Sequence, residues 1–168
     1  RCAFGTQLTP AVLEGPHQLL LLRVYRNDRF PGLQLRVDRL VQSCLMEVDC
    51  RGRVVRYEVH DGVINSDARM TYTAVNAILT DRDPAANAAH RTFVPLFEMM
   101  RDLFEVLNAR RRSRGSIDFD LPETEVILSE YGEIEAIIPA ERNVAHRLIE
   151  EFMLLANETV ASYLEARD

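Results

Sequence analysis

The 168-residue chain contains no lysine; its 20 basic residues are all arginine. Any cationic contact it makes is therefore a guanidinium contact, a planar fork suited to phosphate and to base stacking, although a GC-rich coding bias yields the same choice. Long apolar runs are also missing. The longest wholly apolar stretch, Phe152–Ala156, falls far short of the roughly 20 residues that cross a bilayer as a helix. Cysteine is scarce and odd in number (Cys2, Cys44 and Cys50) and lacks zinc-ligand spacing, which excludes a disulfide framework and reads as free thiols in a reducing cytoplasm. Cys44 and Cys50 fall in one expected strand pair, close enough in sequence to be neighbours in space, with a small apolar role as the default. The opening residues lack the charged segment, apolar stretch and small-residue cleavage site of a signal peptide. Arg1 in place of methionine points to a processed product or to a piece of a longer protein. The net charge of −6 argues against a nonspecific nucleic-acid coat protein, which would be basic. There is no internal repeat, low-complexity tract, Gly-rich phosphate loop or nucleophile elbow.

What is present is an ordinary globular composition, with 47% apolar residues. A chain of this length buries roughly 70% of its unfolded surface and needs no staple. Residues Arg1 to Gly32 are broken up by Thr9-Pro10, Gly15-Pro16 and Pro31-Gly32, with one expected strand over Leu19–Tyr25. The runs Ser43–Val48 and Val54–His60 around Asp49-Cys50-Arg51-Gly52 predict a β-hairpin. Val126–Leu128 and Ile134–Ile138 around Glu130-Tyr131-Gly132-Glu133 predict a second. Helical spacing covers Met70–Leu79 after Asp67 and Ala68, then Pro84–Arg111 behind an Asp83 N-cap, with Pro95 expected to kink or split the stretch. Leu96, Met99, Met100, Leu103, Phe104 and Leu107 mark its buried stripe. The last helix is predicted over Glu141–Ala166, with Ala145, Leu148, Ile149, Phe152, Ala156, Val160, Tyr163 and Leu164 as its core face. Strands mixed with long helices give an α/β or α+β class.

On that last helix, His146, Glu150, Met153 and Asn157 follow at four-, three- and four-residue steps, with Arg142 one turn earlier, so they line one edge beside the apolar face. Such a polar row rims a groove, or else it is a solvated face with an i,i+4 His146–Glu150 pair. The same two residues make a weak metal pair without a third ligand. Arg110, Arg111, Arg112 and Arg114, followed by Gly115, are either a phosphate contact or a solvated cationic helix end. Arg69 and Tyr72 at a helix start could hold a phosphate and stack a base, or Tyr72 is simply half-buried. Asp81/Asp83 and Asp118/Asp120 are the close carboxylate pairs, and neither has a third acidic neighbour to place a cation.

Four segments then carry a family resemblance. Arg114-Gly-Ser-Ile-Asp-Phe-Asp-Leu-Pro-Glu123 resembles the RGALDFDLPE segment of the ribonuclease II / ribonuclease R family, the RNB domain. Arg142-Asn-Val-Ala-His-Arg-Leu-Ile-Glu-Glu-Phe-Met-Leu-Leu-Ala-Asn157 is similar to its RNxAHxLIEExMxLAN helix. Ile64–Thr73 resembles its SxARLTY segment, and Val37-Asp38-Arg39-Leu40 the end of SLxPxVDRL. The order is the family's order, from about Leu33 onward, which divides the chain into an atypical segment over 1–32 and a partial RNB-like domain over 33–168. The resemblance implies a processive 3′→5′ exoribonuclease that hydrolyses single-stranded RNA to nucleoside 5′-monophosphates with Mg²⁺. It maps the family's ribose-sensing tyrosine onto Tyr72 and the matching glutamate onto Glu150; Arg69, Asn157 and Arg114 are weaker RNA-contact candidates. The family's metal-binding aspartates and a stacking tyrosine have no counterpart in this chain, nor do the flanking cold-shock and S1 domains. The chain is therefore expected to be inactive alone, and to associate with a missing remainder or with itself through exposed apolar surface. The competing expectation is a non-catalytic RNB-like module that holds RNA or a protein.

Overall fold

The computed structural model describes residues 6–12, 17–24, 36–116, 124–128, 133–139 and 142–167, with 6–12, 17–24, 124–128, 135 and 137–139 described through their backbone. Strands β1 (Thr6–Val12), β2 (His17–Val24), β3 (Asp38–Asp49) and β4 (Val54–Asn65) form one antiparallel sheet in sequential order. Pro10, which has no N–H to give a ladder, lies on the outer strand β1, where proline is tolerated. The single strand expected over Leu19–Tyr25 is thus β2 of a β1–β2 pair that runs Thr6↔Val24 to Val12↔Gln18.

The β3–β4 hairpin is longer than its apolar core predicts, because pairing continues from Cys44↔Val59 out to Asp38↔Asn65. Its turn is built by Asp49. The Asp49 carboxylate accepts the N–H groups of Arg51 and Arg53 at 2.9 Å each and the Arg53 Nε–H at 2.7 Å. The Arg53 N–H contributes most to holding the Asp49 carboxyl down at about 2, well under the usual carboxylate range. Gly52 takes φ +73°, open to glycine at little cost, and lets the chain turn back into β4. Cys44 is buried in the middle of β3 and Cys50 is exposed at the turn; the five strand residues between them hold them roughly 20 Å apart, so they are not spatial neighbours. Burial raises the Cys44 thiol pKa.

Tyr72 opens a short helix, α1 (Tyr72–Asn76), whose N-cap is Thr71; the helix widens into a π turn over Ala77–Asp81 and stops at Arg82 with φ 54°. The expected Met70–Leu79 helix therefore starts later and changes pitch. The Asp83 N-cap forms as expected, accepting the Ala85 N–H at 3.0 Å, and starts α2 (Pro84–Ala89). Pro95 does split the following stretch: α3 (Val94–Ser113) begins beside it, where its missing N–H costs nothing. Strands β5 (Thr124–Leu128) and β6 (Ile134–Pro139) make a separate antiparallel pair. The Asp118/Asp120 pair and the turn at Glu130, Tyr131 and Gly132 lie outside the described residues. The last helix, α4 (Val144–Glu165), starts from Asn143, whose side chain accepts the His146 N–H.

The core lies between one face of β3, the π turn, α3 and α4. Met46 and Val48 from the sheet meet Ile78, Leu103, Leu148 and Phe152, all at most 2% exposed. Phe97, Leu155 and Ala156 join them; Leu164, expected on the core face, is 57% exposed, because it lies about 160° round the helix from Leu148. Among the described residues the arrangement is mixed helix and strand, with the two expected hairpins, an additional antiparallel β1–β2 pair and two long helices.

Candidate functional site

Helix α4 presents two adjacent carboxylates to two different surroundings. Successive residues point about 100° apart on an α-helix, so Glu150 and Glu151 cannot share a face. The Glu151 side chain is 5% exposed and faces α3, where Asn108 Nδ2 donates to Oε1 at 3.0 Å. Arg111 Nε lies 2.6 Å from the same oxygen, close as an ion pair but off the axis of a hydrogen bond. The Glu150 side chain, 44% exposed, faces outward and accepts from Arg142 Nη2 at 2.7 Å. One turn before it, His146 stacks on Tyr72 with ring centroids 3.9 Å apart and planes 26° from parallel. Nδ1 of His146 lies 2.8 Å from Asn143 Oδ1.

This geometry removes one element of the readings of the α4 stripe, the local ion pair. The expected i,i+4 His146–Glu150 pair does not form; each residue instead takes a partner of its own, Tyr72 and Arg142. What results is a polar edge with an open aromatic ring and an open carboxylate, both oriented by protein groups. A carboxylate so placed accepts hydrogen bonds from hydroxyl donors, and an exposed ring offers a face for stacking. Of the other candidates, Arg69 is exposed three residues before Tyr72. Asn157 is exposed about 10 Å further along α4 than Glu150. Arg114 is at the opposite end, gripping Glu158 through both guanidinium nitrogens at 3.2 and 3.3 Å. The structure thus gathers Tyr72 with the start of α4 and leaves Arg114 and Asn157 apart from it.

The arginine run divides by helical angle. Arg110 Nη1 donates to the Gly52 carbonyl at 2.6 Å, Arg111 faces Glu151, and Arg114 pairs with Glu158. Arg112 projects from the exposed side. The run read as either a phosphate contact or a solvated helix end is instead largely a clasp between α3, α4 and the β3–β4 turn. Sequence reasoning missed Asn108 and Glu151, because nothing local distinguishes a buried glutamate from a solvated one. Their one signal is spacing: Glu151 sits three residues after Leu148 and four before Leu155, on the core stripe itself.

The described residues contain no group of three His, Cys, Asp or Glu side chains that could hold a metal ion. Asp83 is committed to capping α2 and Asp81 is exposed beside it. The described part of this chain does not by itself fit a magnesium centre.

The backbone is similar to that of ribonuclease R from Mycoplasma genitalium, solved in complex with ribose-methylated single-stranded RNA. The match has a TM-score of 0.78 at 20% sequence identity and covers 96% of this chain and 30% of that one. That likeness establishes a fold class. The RNB domain matches residues 26–168, and the chain belongs to the RNB domain family. It is 47% identical over 134 residues to ribonuclease R of Aquifex aeolicus, covering 80% of this chain and 19% of the relative. It is 42% identical over 135 residues to ribonuclease R 1 of Lactococcus lactis, covering 80% of this chain and 16% of the relative. The chain therefore spans less than a fifth of the length of these two relatives.

Proposed function

We propose that this chain is part of the catalytic region of a processive 3′→5′ exoribonuclease that hydrolyses single-stranded RNA and releases nucleoside 5′-monophosphates. Within it, the start of α4 and the start of α1 form part of the wall that receives the substrate. Tyr72 and Glu150 contact the RNA; Arg69, Asn157 and Arg114 contribute more weakly. The open Glu150 carboxylate is suited to accept a bond from a ribose 2′-hydroxyl, the group that separates RNA from DNA. The observation that carries this reading is the convergence of an open ring and an open carboxylate at one end of the helix that matches the family's most extended motif. Mg²⁺ is the proposed cofactor, with ligands supplied by the remainder of the parent protein, whose working compartment is the reducing cytoplasm.

The test is a gel assay of the purified chain on 5′-labelled single-stranded RNA, with Mg²⁺ and with EDTA. The expected result is RNA left intact but bound more tightly than DNA of the same sequence. A Mg²⁺-dependent ladder shortening from the 3′ end would place a working metal site inside this chain and overturn its assignment as inactive alone. A second reading, a module that holds RNA or a protein without cutting, draws on the lack of a three-ligand cluster among the described residues. A parent protein that binds RNA but never shortens it would favour that module.

A further inference from the structure

Tyr72 is the first residue of a five-residue helix and is 45% exposed, so its own backbone does little to fix its ring. Among the described residues no hydrogen bond to its hydroxyl is found; the ring contact it makes is the stack on His146. His146, in contrast, is fixed twice by one atom. Asn143 Oδ1 accepts the His146 main-chain N–H at 3.2 Å, and a main-chain N–H can only donate. The atom facing Nδ1 at 2.8 Å is therefore an acceptor, and Nδ1 must carry the proton. The N-cap of α4 thus sets both the tautomer and the plane of the imidazole, and that plane lies nearly parallel to the Tyr72 ring.

We infer that His146 is a positioning residue of this RNA site: clamped by Asn143, it backs one face of the Tyr72 ring and holds that ring ready for the ribose and base of an incoming RNA end. The inference rests on the proposed function and adds to it a residue that acts through Tyr72. What it supplies is preorganisation. A ring already held in its binding orientation loses less freedom when the ligand arrives. The property that acts on Tyr72 is the flat aromatic face; a phenyl ring at 146 keeps that face but loses the bond to Asn143 Oδ1, so it should replace the imidazole only in part.

The experiment measures fluorescence anisotropy of a labelled oligoriboadenylate and the matching oligodeoxyadenylate with this whole chain in EDTA, with circular dichroism to verify folding. His146→Ala should lower the RNA-over-DNA affinity ratio by about three- to tenfold, the span expected for losing one aromatic pair. His146→Phe should recover part of the lost ratio, since the stack remains while the bond that clamps the ring to Asn143 Oδ1 is gone. In a Tyr72→Ala background, His146→Ala should change the ratio no further, because His146 acts through that ring. An unchanged ratio in His146→Ala, no recovery in His146→Phe, or a full additional effect in the Tyr72→Ala background would overturn the inference. Glu150→Ala separates the two levels. If Glu150→Ala lowers the ratio and His146→Ala does not, His146 alone is misassigned; if the unaltered chain shows no RNA preference, the site reading falls and the inference with it. Should His146→Ala fail to fold, the His146→Phe ratio decides.

Discussion

Two sides of α4 are built from the same residue types and behave as opposites. Near the middle of α4, Glu151 is enclosed between Arg111 and Asn108, and Arg110 reaches across to the β3–β4 turn. One residue earlier, Glu150 shares a half-exposed bond with Arg142 beside an exposed tyrosine. Both regions hold acid, arginine and amide, yet one is closed on the protein and the other is open to solvent. Removing a buried charge strands its partner in a low-dielectric setting, whereas removing an exposed one is compensated by water. The difference teaches that the pair of glutamates divides its labour: one fixes the rotation of the helix, and the other uses that rotation.

The largest expected effect tests that division directly. Glu151→Ala should cost about 3 kcal/mol or more in urea denaturation, because Arg111 and Asn108 lose their buried acceptor. Glu150→Ala should stay within about 0.5 kcal/mol of the unaltered chain while lowering its preference for RNA over DNA. Equal losses of stability in the two variants would erase the distinction. An intermediate effect is expected at the turn that Arg110 clasps. A Cβ at Gly52 would come to 3.3 Å from both Leu107 Cδ2 and Val106 Cγ1, at a φ of +73°. Gly52→Ala should therefore cost about 1–3 kcal/mol by the same measurement; a neutral result would mean that the turn is not held against α3. The smallest effect concerns Arg112, which faces outward from the closed side. Arg112→Ala should leave stability within about 0.5 kcal/mol and reduce the slope of log affinity against log salt by about 1 if it touches phosphate. An unchanged slope would leave the whole arginine run to the protein interior and its surface.

The parts of the fold that were legible in the sequence are those specified locally. The turn at Asp49–Gly52, the split at Pro95, the Asp83 cap and the apolar stripe of α4 each follow from residues within a turn or two of one another. The outer half of β3–β4 was not legible, because it pairs polar and isolated apolar residues such as Gln42↔Asp61 and Leu40↔Val63, which carry no alternation. The π turn was hidden for another reason: its residues read as ordinary helix, and only the packing of Ile78 and Leu79 in the core fixes the wider pitch. At the proposed site, Tyr72 and Glu150 are singled out in the sequence by motif words. Their true partners, His146 and Arg142, were visible only as a stripe, since the choice between a local His–Glu pair and contacts across helices depends on where α1 comes to rest.

The outer edge of β4 carries a consequence for the molecule in a crowded cell. Among the described residues β4 has one strand neighbour in the four-stranded sheet, β3, and its other side is an edge that a second extended chain could extend. Val55, Tyr57 and Val63 are exposed on that strand, a combination that on a bare edge invites aggregation. Between them Arg56, Glu58 and His60 are joined in a row, with Asp61 next to them, so a strand approaching along the edge must displace ions and their water before it can pair. Charge along this edge thus acts as a guard on solubility, separate from anything α4 does.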